Sequence, residues 1–190
     1  LQGFDDGDIE FSPEGCYSPP PIPENCEVLK SDGNYLDNHV NIVFVPSGFN
    51  GDMVKFKQEV TRAWLQFYQY SPFDTSIKTL NAFYVAEEAS PNLFCELGCF
   101  GIPRLLCCNV TVAKGLSSTC YDGPRQTVVI HNNPGYGGGG YQNDDVATMT
   151  IHEFAPRVVI HELGHSLFGL GDEYTEQGGS SPNSPNCDYS

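Results

Sequence analysis

Basic side chains are scarce in this 190-residue sequence: 9 Lys and Arg stand against 24 Asp and Glu, for a formal charge of -15. A chain this acidic repels phosphate backbones and anionic lipid surfaces, so nucleic acid is not an expected partner. Long apolar runs are missing too. No stretch approaches the roughly 20 residues that a membrane helix needs, so no membrane span is expected. Neither a P-loop nor a dinucleotide fingerprint is present, and the glycine run at 137–140 has no Lys-Ser or Lys-Thr after it. Internal repeats are absent. Methionine is nearly absent as well, with only Met53 and Met149.

What is present describes a folded domain. Hydrophobic residues make up 39% and aromatics 12% of a 20.8 kDa chain, enough for one domain with a real core. The eight cysteines, Cys16, Cys26, Cys95, Cys99, Cys107, Cys108, Cys120 and Cys187, are an even number in a loop-rich acidic chain. That pattern predicts four disulfides and an oxidising, secreted setting. Cys16 and Cys26 flank a proline-rich stretch and can close a local loop. Cys107 and Cys108 are neighbours, so they are expected to bond to different partners. The competing arrangement is a zinc knot of Cys95, Cys99, Cys107 and Cys108, disfavoured because the C-x2-C pairs of zinc ribbons are missing. Asn109-Val110-Thr111 is a glycosylation sequon, the mark of a secreted glycoprotein if it is used. The chain opens at Leu1 with no signal segment, as a processed mature chain would.

Along the chain, residues 1–36 are acidic, proline-rich and aperiodic, and read as an extended, disulfide-stapled arm. Residues 40–45 are a short apolar run that predicts a buried strand. Asp52 can cap a following helix, in which Met53, Phe56, Val60, Trp64 and Phe67 recur every three or four residues as a core-facing stripe. Residues 80–85 predict a second strand and 127–130 a third. Between these two, residues 90–123 hold five cysteines and read as a stapled excursion without regular core structure. The glycine-rich segment after the third strand is expected to be a mobile surface loop, at the rim of a site. Residues 147–151 read as a fourth strand, at an edge. Pro156 then suits the first turn of a helix that runs to about Phe168 and stops at Gly169 and Gly171.

That last helix carries His161-Glu162-Leu163-Gly164-His165, an H-E-x-x-H motif. On a helix, positions i and i+4 lie one turn apart on the same face, so both imidazoles can meet one metal ion. Glu162 can then reach a water that the metal makes acidic, and take its proton. At this chain's His and Glu frequencies the motif arises by chance in about one such chain in a hundred. Its place after an apolar run and before Asp172 and Glu173 lowers that chance further. His152-Glu153 lacks a second histidine, because position 156 is proline. His131 and His39 are lone histidines in or beside strands, read as structural.

The stretch from His161 through Ser166, Leu167, Phe168, Gly169, Leu170 and Gly171 to Asp172-Glu173-Tyr174 resembles the zinc-site signature of the IgA-protease-like zinc metallopeptidases. Upstream, residues 41–49 followed by 53–56 resemble that family's opening strand, glycine-aromatic turn and first helix. Ser71-Pro72-Phe73 and residues 81–85 resemble its next landmarks, so the resemblance covers about 38–175. It implies an α/β (α+β zincin-like) domain at 37–175: a mixed sheet, a packed first helix, an active-site helix carrying the motif, and disulfide-stapled insertions. Residues 176–190 would begin a C-terminal part that is cut short. Metzincin-like relatives carry a methionine turn beneath the metal, whereas both methionines here lie upstream of the helix.

The resemblance implies a secreted, zinc-dependent endopeptidase acting on a protein or peptide substrate. Zn2+ would be held by His161, His165 and an acidic third ligand, with Glu162 as general base. A continued helix would carry residue 172 about 16 Å beyond His161 along the axis, so the helix has to stop and the chain double back. The family pattern points to Asp172 as the third ligand. Glu173 is the alternative, with Asp172 then orienting a histidine, and a merely hydrated acidic turn is the other. Two imidazoles and a carboxylate also suit other first-row ions. Two rival functions stand beside the peptidase. One is a non-catalytic extracellular structural or adhesion module with an assembly partner, against which an intact Glu162 argues. The other is a zinc amidase acting on a non-peptide amide.

Overall fold

The computed structural model describes residues 22–31, 39–88 and 93–172. The described chain forms a six-stranded mixed sheet with helices on both faces. Its strands are β1 (Cys26–Lys30), β2 (Val40–Ser47), β3 (Leu80–Val85), β6 (Gln126–His131), β7 (Gly138–Tyr141) and β8 (Val146–Thr150), in the order β1-β3-β2-β6-β8-β7. A separate two-stranded hairpin pairs β4 (Cys95–Leu97) with β5 (Leu106–Cys108). The helices are α1 (Met53–Gln66), α2 (Val110–Cys120) and α3 (Ala155–Phe168). The four inner strands β3, β2, β6 and β8 are parallel, and the edge strands β1 and β7 run antiparallel to their neighbours.

Burial on both faces explains why the inner strands read as unbroken apolar runs. Ile42, Phe44, Ala82, Tyr84, Val128, Ile130, Ala147 and Met149 point to one face and pack under α1 and α3. Val43, Val45, Phe83, Val85, Val129 and Val146 point to the other and meet α2. The predicted stripe on α1 is buried through Phe56, Val60, Trp64 and Phe67, with Ala63 between them. Burying a large apolar side chain of this kind contributes about 1.5–3 kcal/mol, so the stripe fixes α1 to the sheet. Asp52 caps α1 as expected, its carboxylate accepting the Lys55 N–H at 3.0 Å.

Several expectations need correction. The stretch 90–123 is not all excursion: residues 110–120 form α2, capped by Asn109 and covering the second face of the sheet. The glycine run is not a mobile loop but edge strand β7. Consequently β8 lies inside the sheet, between β6 and β7. The expected arm ends in a strand, because 26–30 pairs with β3. Cys26 bonds to Cys120 and not to Cys16, tying β1 to the end of α2. Cys95–Cys108 and Cys99–Cys107 staple the hairpin, so adjacent cysteines do take different partners and the zinc-knot arrangement is ruled out. The two remaining cysteines, Cys16 and Cys187, lie outside the described residues. So do most of the arm and the 176–190 segment.

Candidate metal centre

Helix α3 is made by the segment that carries the motif. Pro156 sits in its first turn, where a missing N–H costs nothing. Ala155, Val158, Val159, Leu163 and Ser166 are buried, which locks the helix rotation. That rotation sets Glu162 and His165 against β7 and leaves His161 beside Asp172. Gly169 stops the helix in a left-handed conformation, φ 67° and ψ 21°. Its N–H donates to the His165 carbonyl at 3.0 Å, and the Leu170 N–H returns to the Gly164 carbonyl at 2.9 Å. The doubled-back chain then delivers Asp172.

Three donor atoms converge there. His161 Nε2 and His165 Nε2 are 3.2 Å apart. Asp172 Oδ1 lies 3.1 Å from the first and 3.2 Å from the second. Tetrahedral zinc with ligands at about 2.0–2.1 Å spaces them roughly 3.3 Å apart, so this triangle has the size such an ion requires. The chemistry of the donors agrees. His165 Nδ1 lies 2.6 Å from the Leu170 carbonyl oxygen, a contact that requires Nδ1 to carry the proton. In the neutral ring this tautomer leaves the lone pair on Nε2. Asp172 Oδ1 is buried, with the two imidazole nitrogens beside it. A divalent ion between these atoms would be met by two neutral imidazole nitrogens and one carboxylate oxygen. The donor set fits a divalent ion, and no other group of three His, Cys, Asp or Glu among the described residues is close enough to hold one.

Electrostatics point the same way. Burial pushes the His161 pKa down, with His165 adding to the effect and Asp172 opposing it, which favours the neutral ring. Burial pushes Glu162 up to about 8, with the Asp172 charge adding to the rise and Arg104 opposing it. A cation in the triangle would favour the carboxylate form of Glu162.

Strand β7 explains its own composition at this point. A Cβ on Gly140 would lie 2.5 Å from the Glu162 carbonyl oxygen and 2.7 Å from His165 Cβ. One on Gly138 would lie 2.4 Å from a Val158 methyl. Only glycine lets the strand backbone rest directly on α3. Gly139 faces the other way, toward the Leu106 carbonyl. The glycine segment was expected at the rim of a site, but its close packing on α3 and the Leu170 carbonyl are features that sequence reasoning missed. The run of consecutive glycines was the available signal for the close approach.

The sequence profile described as IgA Peptidase M64 matches residues 32–187, a span that runs from before β2 past α3 and includes the donor triangle. The chain belongs to that family. A comparison with curated proteins gave no match. Membership in the IgA peptidase family makes this a peptidase chain, with protein as its substrate class. His161, Glu162, His165 and Asp172 all lie inside the matched span; Glu173 does as well, but outside the described residues.

The remaining histidines lie apart from the triangle. His131 ends β6 and sits 3.1 Å, through Nδ1, from Ser47 Oγ. His152 accepts the Phe154 N–H at 3.2 Å and stacks edge-on with Tyr136. Among the described residues, no helix is long and apolar enough to cross a membrane.

Proposed function

We propose that this chain is a zinc-dependent endopeptidase of zincin-like architecture, with His161, His165 and Asp172 as the metal ligands and Glu162 as the general base. The observation that supports the reading is the convergence of Asp172 Oδ1 on His161 Nε2 and His165 Nε2, 3.1 Å from the first and 3.2 Å from the second, with the two nitrogens 3.2 Å apart. Zinc bound there supplies Lewis acidity, polarising a carbonyl and lowering the pKa of water toward neutrality. The protein's own residues do the rest. Leu170 holds the His165 tautomer through its carbonyl, the kind of supporting contact that tunes a metal ligand. Glu162 accepts a proton from the attacking water and passes it to the leaving amine.

Edge strand β7 supplies the substrate wall. It is the last strand of the sheet, and its glycines bring its backbone against the motif helix. An extended peptide can add to such an edge through main-chain hydrogen bonds, which places a backbone carbonyl near Glu162 without demanding a particular side chain. Three disulfides suit an extracellular setting.

The test is hydrolysis of a quenched fluorescent peptide mixture. Chelation is expected to abolish activity and zinc to restore it. Glu162→Gln is expected to keep the metal and lose activity by about 10²–10⁴ or more, since the amide cannot take the proton. Full activity of this variant, or activity indifferent to chelation, would refute the reading.

A further inference from the structure

We propose that Tyr136, His152 and Phe154 form a subsite that takes an aromatic side chain of the substrate peptide. This rests on the peptidase reading and adds a substrate preference to it. The three rings make one patch. Tyr136 meets His152 edge to face, with ring centroids 5.4 Å apart and planes at 80°. Phe154 tilts against the same imidazole at 5.6 Å and 46°. His152 is pinned there, its Nδ1 accepting the Phe154 N–H at 3.2 Å. Tyr136 remains 46% exposed and Phe154 55%, so much of this aromatic surface is open to solvent and not spent on the core. Local structure gives no reason for Phe154. It stands at the N-cap of α3, where Ser, Thr, Asp or Asn would bond the first turn, and its side chain makes no cap.

Two elements connect the patch with the metal centre. On α3, Phe154 precedes His161 by seven residues, close to two turns, so both leave the helix on one stripe, about 10 Å apart along the axis. On β7, Gly138 and Gly140 face Val158, Glu162 and His165, and the Tyr136–His152 contact continues that face one step further back. Main-chain pairing of a peptide to β7 does not extend this far, because the Gly138 N–H is taken by the Arg104 carbonyl at 3.1 Å. Beyond Gly139 a bound peptide has to be held through its side chains. At about 3.3 Å per extended residue, 10 Å places the subsite about three residues from the bond being cut.

The surroundings select the occupant. A cationic side chain would suit the ring faces. However, the Arg62 Nη2 donates to the Glu153 carbonyl at 3.1 Å, and Arg157 is exposed one turn beyond Phe154. Two guanidinium groups therefore lie beside the patch. An uncharged aromatic ring is not repelled, and it adds edge-to-face contacts of the kind that already join the three rings.

The experiment uses the full chain as zinc-loaded Glu162→Gln protein, so that peptides bind without turnover. Short Ala-Gly peptides carry Phe, cyclohexylalanine or Lys at each position in turn, and isothermal titration calorimetry reads the affinities. Phe is expected to bind about tenfold to a hundredfold more tightly than Ala at one position. Cyclohexylalanine, of similar size but without the π system, is expected to fall about twofold to tenfold behind Phe. Adding Tyr136→Ala and Phe154→Ala together is expected to abolish the Phe advantage, whereas Tyr136→Phe with Phe154→Tyr keeps it. Melting temperatures check that each variant is folded, and the conservative pair carries the test if the alanine pair is not: loss of the Phe advantage at the conservative pair, or its retention in a folded alanine pair, would overturn the proposal. So would equal binding of Phe and Ala at every position, or Lys outranking Phe. Self-association that the alanine pair removes, with no Phe preference, would assign the patch to contact between copies and overturn it too. Turnover by the wild-type protein reads the peptidase assignment separately. A patch-dependent Phe preference without turnover refutes that assignment alone, and turnover without the preference refutes this proposal alone.

Discussion

Replacing Glu162 with glutamine should change how the stability of the metal-free protein responds to pH. Burial holds the Glu162 carboxyl at about 8, against an ordinary value of 4.5. The folded state therefore keeps a proton that the unfolded state releases between these values. With its folded pKa raised, Glu162 leaves stability intact below about 4.5, and stability falls as pH climbs toward and through about 8. The gap is about 3.5 pH units, and each unit is worth about 1.4 kcal/mol, so the full loss is roughly 5 kcal/mol as an upper figure. The glutamine amide of the variant does not titrate, so this loss disappears with the carboxyl. Urea unfolding of chelated wild type and Glu162→Gln, run from pH 5 to pH 9, should show wild type losing several kcal/mol more than the variant across that range. Adding zinc to the wild type should flatten its profile, because a neighbouring cation brings the Glu162 pKa down. Parallel profiles for the two chelated proteins would refute the claim that Glu162 is a desolvated carboxyl beside the ligand triangle.

Gly140→Ala should separate β7 from α3, since the new methyl would start 2.5 Å from the Glu162 carbonyl oxygen and 2.7 Å from His165 Cβ. The expected cost is about 1–3 kcal/mol of stability, read by thermal unfolding, with weakened zinc binding beside it; an unchanged melting temperature would contradict the contact. Removing the Cys26–Cys120 bridge as a double serine variant should cost about 4–5 kcal/mol, because it closes a loop with a sequence separation of 94 residues. Denaturant unfolding under oxidising conditions measures that loss, and an unaltered midpoint would remove this bridge from the account.

The elements that the sequence revealed are those whose side chains repeat with a period. Helix α1 was legible because Phe56, Val60 and Trp64 face the sheet while Lys55, Lys57 and Arg62 do not. The inner strands were legible as apolar runs, and α3 as an apolar segment between Pro156 and Gly169. Strand β7 was illegible because glycine has neither strand preference nor alternation, and its reason for being glycine lies in α3, about twenty residues further on. Helix α2 was hidden by Gly115 and a run of Ser and Thr, though Asn109 and the spacing of Ala113, Ser117 and Cys120 were available signals. The ligand candidates on α3 could be read from helical spacing. Asp172 needed the chain reversal at Gly169, which the glycine made readable.

The central claim is that His161, His165 and Asp172 form one metal centre, and zinc titration in competition with a chelator tests it most directly. Wild type is expected to take one zinc per chain. Asp172→Ala is expected to bind at least tenfold more weakly, the lower end even for residues that only support a ligand. Glu173→Ala should bind as wild type does. Wild-type affinity in Asp172→Ala, with the loss appearing in Glu173→Ala instead, would contradict the account.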